Sequence, residues 1–228
     1  MLMQKSGDIA TTKQILPIPA GVPGVNALTD AFAVMGAAMR FEHNSEIFGE
    51  GEPAEYFYKV VKGAVRTYKL LNDGRRQISA FHLPGDIFGL EGGKEHRFTA
   101  DAIADSTVLV IKHTTLLALA SRDSEVANCL WTQATGDLLR AQDHMLLLGR
   151  KNAHERVASF LLEMAGRGSG PQSVELAMSR QDIADYLGLT IETVSRTLTL
   201  LEQEAAIELP TSRRILLRDP AALRRLNA

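Results

Sequence analysis

Ser179-Arg180-Gln181-Asp182-Ile183-Ala184-Asp185-Tyr186-Leu187-Gly188-Leu189-Thr190-Ile191-Glu192-Thr193-Val194-Ser195-Arg196 reads as two short helices about a tight turn. Ser179 followed three residues later by Asp182 predicts a capping box, with Asp in place of the usual Glu or Gln. Ile183, Ala184 and Leu187 form one buried side of the first helix, Ser179–Leu187. Gly188 supplies the positive φ that ends it. Leu189 plugs the turn and Thr190 caps the second helix, Ile191–Glu204. On that helix Ile191, Val194, Leu198 and Leu201 fall on one stripe, and Glu192, Ser195, Arg196 and Thr199 on the opposite one.

The second stripe carries side chains that read base edges in a major groove. Arg196 can pair with guanine O6 and N7, and Glu192 can accept from cytosine N4. On an arbitrary helix an i,i+4 Glu–Arg pair is an ordinary salt bridge of a few tenths of a kcal/mol. Its place on the second helix of a helix-turn-helix favours base reading, with Ile191 and Thr193 beside it. Ser179, Arg180, Thr190 and Thr199 are the candidate phosphate contacts; Arg180 lies at the start of the first helix, where amides and dipole also attract phosphate. For Arg180 the competing reading is an ordinary solvated side chain.

Beyond the second helix, Ile207-Glu208-Leu209 and Arg214–Arg218 are predicted to pair as a hairpin across Pro210–Arg213. That puts Arg213 and Arg214 at the tip of a wing, as phosphate contacts or as a solvated turn. Pro220–Leu226 reads as a last helical turn or two. Upstream, Leu176-Ala177-Met178 is a short apolar run, and 166–171 is a Gly-rich loop.

From Leu116 to Gly166 only Gly136 and Gly149 interrupt a helix-forming composition, which predicts helix. Within it Trp131, Ala134, Leu138, Ala141, Met145 and Leu148 step by three or four residues, close to the roughly 3.5-residue period of a coiled-coil seam. Packing on its own domain is the simpler account. Leu139, Leu146 and Leu147 give the helix more apolar surface than one neighbour needs, and a paired DNA reader wants a dimer. Residues 40–113 differ: short apolar and aromatic runs alternate with turns at Gly49–Gly51, Lys62-Gly63, Asn72-Asp73-Gly74, Pro84–Asp86 and Gly92-Gly93. Such spacing predicts an all-β roll or sandwich. A short helix is expected at Leu28–Met39, after a lead-in crowded with Pro and Gly.

The bulk numbers fit this plan. The 228 residues carry a formal net charge of −2, so nucleic-acid binding must come from a local patch. One cysteine, Cys129, cannot form an internal disulfide or a four-thiolate metal site. It reads as a small apolar residue rather than a redox thiol. The expected compartment is the cytoplasm: no signal peptide and no apolar run of about 18 residues is seen. No P-loop, nucleophile–base pair or metal-spaced cluster points to an enzyme. His43, His82, His96, His113, His144 and His154 are scattered and read as structural or solvated.

The stretch Ser179–Gly188 with Glu192-Thr193-Val194-Ser195-Arg196 resembles the bacterial CRP/FNR superfamily, in the Glu-x-x-Ser-Arg form of its FNR branch. Gly49–Ala54, Val61-Lys62-Gly63 and Leu83-Pro84-Gly85-Asp86-Ile87-Phe88-Gly89 match the glycine-marked roll of its cyclic-nucleotide-binding fold. Ala205–Arg214 is similar to the ending of FixK-type regulators of rhizobia and relatives. The resemblance spans about residues 30–220. It implies an α+β chain, with a lead-in at 1–27, a β-roll (a double-stranded β-helix) at 28–122, a dimerisation helix at 123–150 and a winged helix-turn-helix at 151–228. It further implies a homodimer on a TTGA…TCAA palindrome, RNA polymerase as partner, and target genes of low-oxygen respiration and nitrogen fixation. Glu192, Ser195 and Arg196 fall on base-reading positions, and Arg180 on a phosphate position.

Two departures bear on the input signal. Members with an oxygen-sensing cluster carry grouped N-terminal cysteines, and residues 1–30 have none. Cyclic-AMP binders place a Glu after the Gly-Asp-x-x-Gly turn and an Arg-Ser or Arg-Thr pair beyond it. Here Glu91 is displaced by one residue and Arg97 is followed by Phe98. Neither cyclic nucleotide nor another cofactor is expected. A ligand- or haem-sensing regulator, with His82 or His113 as axial ligand, is the competing reading; a plain cyclic-nucleotide-binding interaction domain is the other.

Overall fold

The computed structural model describes residues 27–167, 170 and 172–227; the lead-in lies outside them except for Ala27. The first helix, α1 (Ala27–Met35), stops short of Met39. Gly36 donates its N–H to the Phe32 carbonyl at 2.9 Å, and a Cβ there would lie 2.4 Å from that same oxygen. Only glycine allows so tight an exit. The chain passes at once into β1 (Ala37–Phe41), antiparallel to β8 (Ser106–Lys112).

Between them lie β2 (Glu46–Phe48), β3 (Tyr56–Lys62), β4 (Val65–Leu70), β5 (Arg76–His82), β6 (Ile87–Phe88) and β7 (Thr99–Ala102). Two four-stranded sheets result, β1-β8-β3-β6 and β2-β7-β4-β5. The Asn72-Asp73-Gly74 turn joins β4 to β5 as expected, with Gly74 at φ 83°. Phe48, Tyr58, Val60, Phe88 and Val108 fill the space between the sheets. Each such side chain removed from water contributes about 1.5–3 kcal/mol.

The helical stretch expected at 116–166 is three helices: α2 (His113–Ala120), α3 (Ser124–Arg150) and α4 (Ala153–Arg167). Neither break needs Gly or Pro. Asp123 caps α3 by accepting from the N–H groups of Glu125 and Val126. At the second break Lys151 is extended, and Asn152 and Glu155 exchange side chain–backbone hydrogen bonds at 3.1 and 2.9 Å. A two-residue joint therefore separates α3, about 40 Å long, from everything that follows.

The C-terminal module contains β9 (Ser173–Glu175), α5 (Arg180–Leu187), α6 (Ile191–Gln203), β10 (Ile207–Glu208), β11 (Arg214–Leu217) and α7 (Pro220–Asn227). The wing hairpin forms, and β9 adds a third strand, in the order β10-β11-β9. Val157, Phe160, Leu161, Ile183, Leu187, Val194, Leu198, Leu201, Ile215 and Leu223 form its core. That core also takes in Ala64, Ile78, Phe81 and Ile103 of the roll, so one apolar cluster runs across the joint.

Candidate nucleic-acid interface

The helix-turn-helix is built by its caps. The Ser179 hydroxyl accepts from the Asp182 N–H, and the Asp182 carboxylate accepts from the Ser179 N–H at 3.0 Å, a complete capping box. Gly188 sits at φ 61° and closes α5 onto the Ala184 carbonyl. Thr190 then caps α6 by accepting from the Thr193 N–H at 3.2 Å. These bonds fix the angle between the helices, while Val194, Thr197, Leu198 and Leu201 anchor α6 in the core.

What α6 leaves outside is the predicted stripe. Glu192, Ser195, Arg196 and Thr199 are all exposed. Glu192 and Arg196 form no direct ion pair, so the salt-bridge alternative is not what the fold builds. The Glu192 carboxyl is held below its ordinary value, first by its own N–H, then by the Thr190 hydroxyl, with a smaller pull from Arg196. An ionised acceptor and a free guanidinium therefore stand one turn apart on an open face. Ile191 departs from expectation: it is 37% exposed and edges the stripe instead of joining the core. Thr193 is half-buried beside the Thr190 cap.

The phosphate candidates divide. Arg180 is half-buried at the start of α5, and its Nη1 is shielded from solvent without a hydrogen-bond partner among the described residues. Burial holds this guanidinium below its ordinary pKa. Ser179 and Thr190 are exposed, but their hydroxyls already serve the caps. Thr199 spends its hydroxyl on the Ser195 carbonyl. At the wing Arg213 is exposed, and Arg214 lies 3.5 Å from Glu175 of β9.

Along α3, Trp131, Ala134, Leu138, Ala141 and Met145 are exposed, with Trp131 at 72% and Met145 at 68%. Leu148 differs: it is half-buried against the C-terminal core. The face turned to the chain's own roll carries Val126, Leu130 and Cys129.

Three arginines that the sequence reading passed over hold the module in place. Arg156 donates to the carbonyls of Leu148, Lys151 and Leu187, each at 2.8 Å, and so ties the end of α3 to the end of α5. From the roll, Arg66 Nη1 and Arg76 Nη2 donate to Asp182 Oδ1 at 2.8 and 2.6 Å. Arg76 Nε also donates to Asp185 at 2.8 Å. Burial pushes the Asp182 carboxyl up, but the Ser179 hydrogen bonds and the two guanidiniums outweigh it and hold it below its ordinary value. No local pattern marks such partners: they lie more than 100 positions apart.

Between the roll and helices α3 and α4 lies a cavity of about 900 Å³. Glu91 lines it, but its carboxylate is engaged: Oε1 is 3.0 Å from His96 Nδ1 and Oε2 accepts from the Arg97 N–H at 2.7 Å. Arg97 is exposed and Phe98 beside it has no hydroxyl. His82 stacks on Phe88 at 4.7 Å and meets Thr67, while the His113 ring lies tilted against Phe57 at 3.9 Å. Among the described residues no group of three or more His, Cys, Asp or Glu is placed to hold a metal, and no helix is long and apolar enough to cross a membrane.

Residues 155–226 match the model of the Crp-like helix-turn-helix domain, and residues 38–123 that of the cyclic nucleotide-binding domain. The nitrogen fixation regulation protein FixK of Azorhizobium caulinodans is 55% identical over 201 residues, covering 86% of this chain and 81% of the relative. The chain belongs to the CRP/FNR family. Its likeness to the transcriptional activatory protein AadR of Rhodopseudomonas palustris is 42% over 78% of the chain and 76% of the relative. The structure of FixK2 from Bradyrhizobium japonicum superposes with a TM-score of 0.82 at 52% identity, covering 86% of this chain and 98% of that one. This CRP/FNR protein is thus a FixK-type transcription regulator with a helix-turn-helix DNA-binding domain. Its matched relatives are regulators, not enzymes.

Proposed function

We propose that the chain is a homodimeric activator of low-oxygen respiration and nitrogen-fixation genes that binds a TTGA…TCAA palindrome without a small-molecule effector. The observation that carries this reading is the open stripe of α6, where Glu192, Ser195 and Arg196 stand exposed and, among the described residues, no ion pair engages Glu192 or Arg196. Arg196 reads the guanine and Glu192 the cytosine of each half-site. Ile191 and Thr193 flank them. Arg180, Thr199, Arg213 and Arg214, with the caps Ser179 and Thr190, lie along the backbone and set register.

Two copies meet along α3. Trp131, Ala134, Leu138, Ala141 and Met145 are an apolar stripe left exposed by the described residues, and a palindrome needs two-fold symmetry. Leu148 ends the seam at the joint. The units are a lead-in at 1–27, a roll at 28–122, the dimer helix at 123–150 and the winged reading head at 151–228. The bound dimer recruits RNA polymerase in the cytoplasm.

Effector independence rests on Glu91, Arg97 and Phe98. The Glu91 oxygens are already spent on His96 and the Arg97 N–H, and Phe98 cannot bond a phosphate. These residues do not fit a cyclic nucleotide. The cavity of about 900 Å³ beside them favours a second reading, a sensor of some other ligand. A labelled TTGA…TCAA duplex is titrated with protein alone and with protein plus cyclic AMP, at about 150 mM salt, where phosphate contacts alone are weak. Specific binding without additive, unchanged by cyclic AMP, is expected. Binding only with cyclic AMP contradicts effector independence, and no specific binding in either arm contradicts the effector-free activator and favours the sensor of another ligand.

A further inference from the structure

The joint at Lys151-Asn152 is short, and Arg156 bonds across it to the ends of α3 and α5. Contacts with the roll also set the angle at which α6 faces outward. Apolar contact does part of this: Phe81 of the roll and Tyr186 of α5 lie 5.2 Å apart, and His144 of α3 stacks on Tyr186 at 4.2 Å. Such contacts are non-directional and tolerate sliding.

Directional bonds add to it: Gln77 donates to the Tyr186 carbonyl at 3.3 Å, Arg167 to the Phe81 carbonyl at 2.8 Å, and a buried charge lattice joins the roll to α5. Arg66 is anchored in the roll by Asp101 at 2.9 Å, and its second arm reaches Asp182 at 2.8 Å. Arg76 spans Asp182 and Asp185 at 2.6 and 2.7 Å. Both guanidiniums lie over the Tyr68 ring, at 5.5 and 5.6 Å from its centre. All five charged side chains are at most 20% exposed. Rigid forks meeting carboxylates this far from water fix orientation as well as distance. Buried pairs of this kind add little net stability over apolar packing, and their best-attested use is to select one arrangement.

The place where they grip decides what they can do. Asp182 and Asp185 sit on α5, the helix that carries α6, and Asp182 also caps α5 through Ser179. The reading stripe of α6 remains open while the lattice is closed. The contact therefore holds the reading head without covering it.

We infer that Arg66 and Arg76 are positioning residues that lock the helix-turn-helix against the β4–β5 side of the roll in its DNA-reading pose. The role in DNA reading rests on the function proposed above; the lock itself does not.

The test uses the full chain, wild type against Arg76→Glu and the milder Arg76→Gln, each first checked for a cooperative thermal transition. Spin labels at Lys62→Cys and Gln203→Cys, in a Cys129→Ser background diluted with unlabelled protein, report the distance from roll to reading head. The wild type should give one narrow distance, and both variants a broadened one. Affinity for the TTGA…TCAA duplex should fall about 10-fold or more in Arg76→Glu and less in Arg76→Gln. An unchanged distance overturns the proposal. So does a broadened distance with unchanged affinity, since the pose then does not matter, or a gain in affinity, since the lattice then restrains instead of positioning. If wild type ignores the duplex while the distance still broadens in the variants, the proposed DNA site fails and the lock stands.

Discussion

Asp182 Oδ1 accepts from Arg76 Nη2 at 2.6 Å, while Oδ2 of the same carboxylate accepts from the Ser179 N–H at 3.0 Å. One side chain therefore caps the first helix of the reading head and binds it to the roll. Removing it should cost more than a cap. We expect Asp182→Ala to destabilise the protein by about 2–4 kcal/mol, against about 1 kcal/mol for losing an N-terminal cap alone. The carboxyl is held below its ordinary pKa, so its contribution is complete above the usual carboxylate range and fades as pH falls through the depressed folded-state value. Denaturant melts at neutral and acidic pH check both points. A loss no larger than a cap, or one independent of pH in the acid range, contradicts the double role.

Arg180 should act on all sequences alike. Its guanidinium has a shielded Nη1 at the start of α5 with no partner among the described residues, which suits a phosphate. Arg180→Ala should weaken specific and scrambled duplexes equally and lower the slope of log K against log salt by about one per subunit. Titrations at several salt concentrations measure this. A loss confined to one base pair assigns Arg180 to base reading instead.

The seam on α3 predicts assembly. Leu138 is 57% exposed and Met145 68%, and a charge at either belongs in water. Leu138→Glu with Met145→Glu should convert the proposed dimer to monomer in sedimentation at micromolar concentration and abolish tight binding to the proposed palindrome, while the thermal transition of each chain persists. A double variant that sediments as the wild type places the dimer contact elsewhere.

His82 predicts acid sensitivity. Burial pushes its pKa down to about 4, with Arg167 and Arg140 adding to the shift and Asp86 opposing it. The unfolded chain takes up the proton near pH 6.5 and the folded chain only near pH 4. Stability is therefore full above pH 6.5 and declines towards pH 4, by up to about 3 kcal/mol from this residue. His82→Gln should flatten that limb relative to wild type in thermal melts across the range. Parallel curves for the two proteins contradict it.

Much of the reading head was legible because its signals are local. Ser179, Asp182, Gly188 and Thr190 act within four residues of themselves, and the stripe of α6 follows from helical spacing. The roll was legible through its turns, whose glycines need positive φ. Its short strands were not: β7 is Thr99-Ala100-Asp101-Ala102, a poor strand former held by its neighbours. The breaks around α3 follow from the family resemblance, which bounds a helix at 123–150, and not from composition, since Asp123 and Asn152 stop helices by capping the next one. Least visible was the grip between the two halves. Arg66, Arg76 and Arg156 look like any surface arginine until folding brings them to Asp182, Asp185 and the ends of α3 and α5.

The account turns on Arg196 reading a G·C pair in each half of a symmetric site. Its most direct test is the affinity of wild type and Arg196→Ala for the TTGA…TCAA duplex and for duplexes with the G·C pair replaced in both half-sites, at one salt concentration. Wild type should lose about 1–3 kcal/mol per half-site on replacement, and Arg196→Ala should bind both duplexes equally. If Arg196→Ala keeps the wild-type preference at that pair, Arg196 does not read it and the proposed interface is wrong.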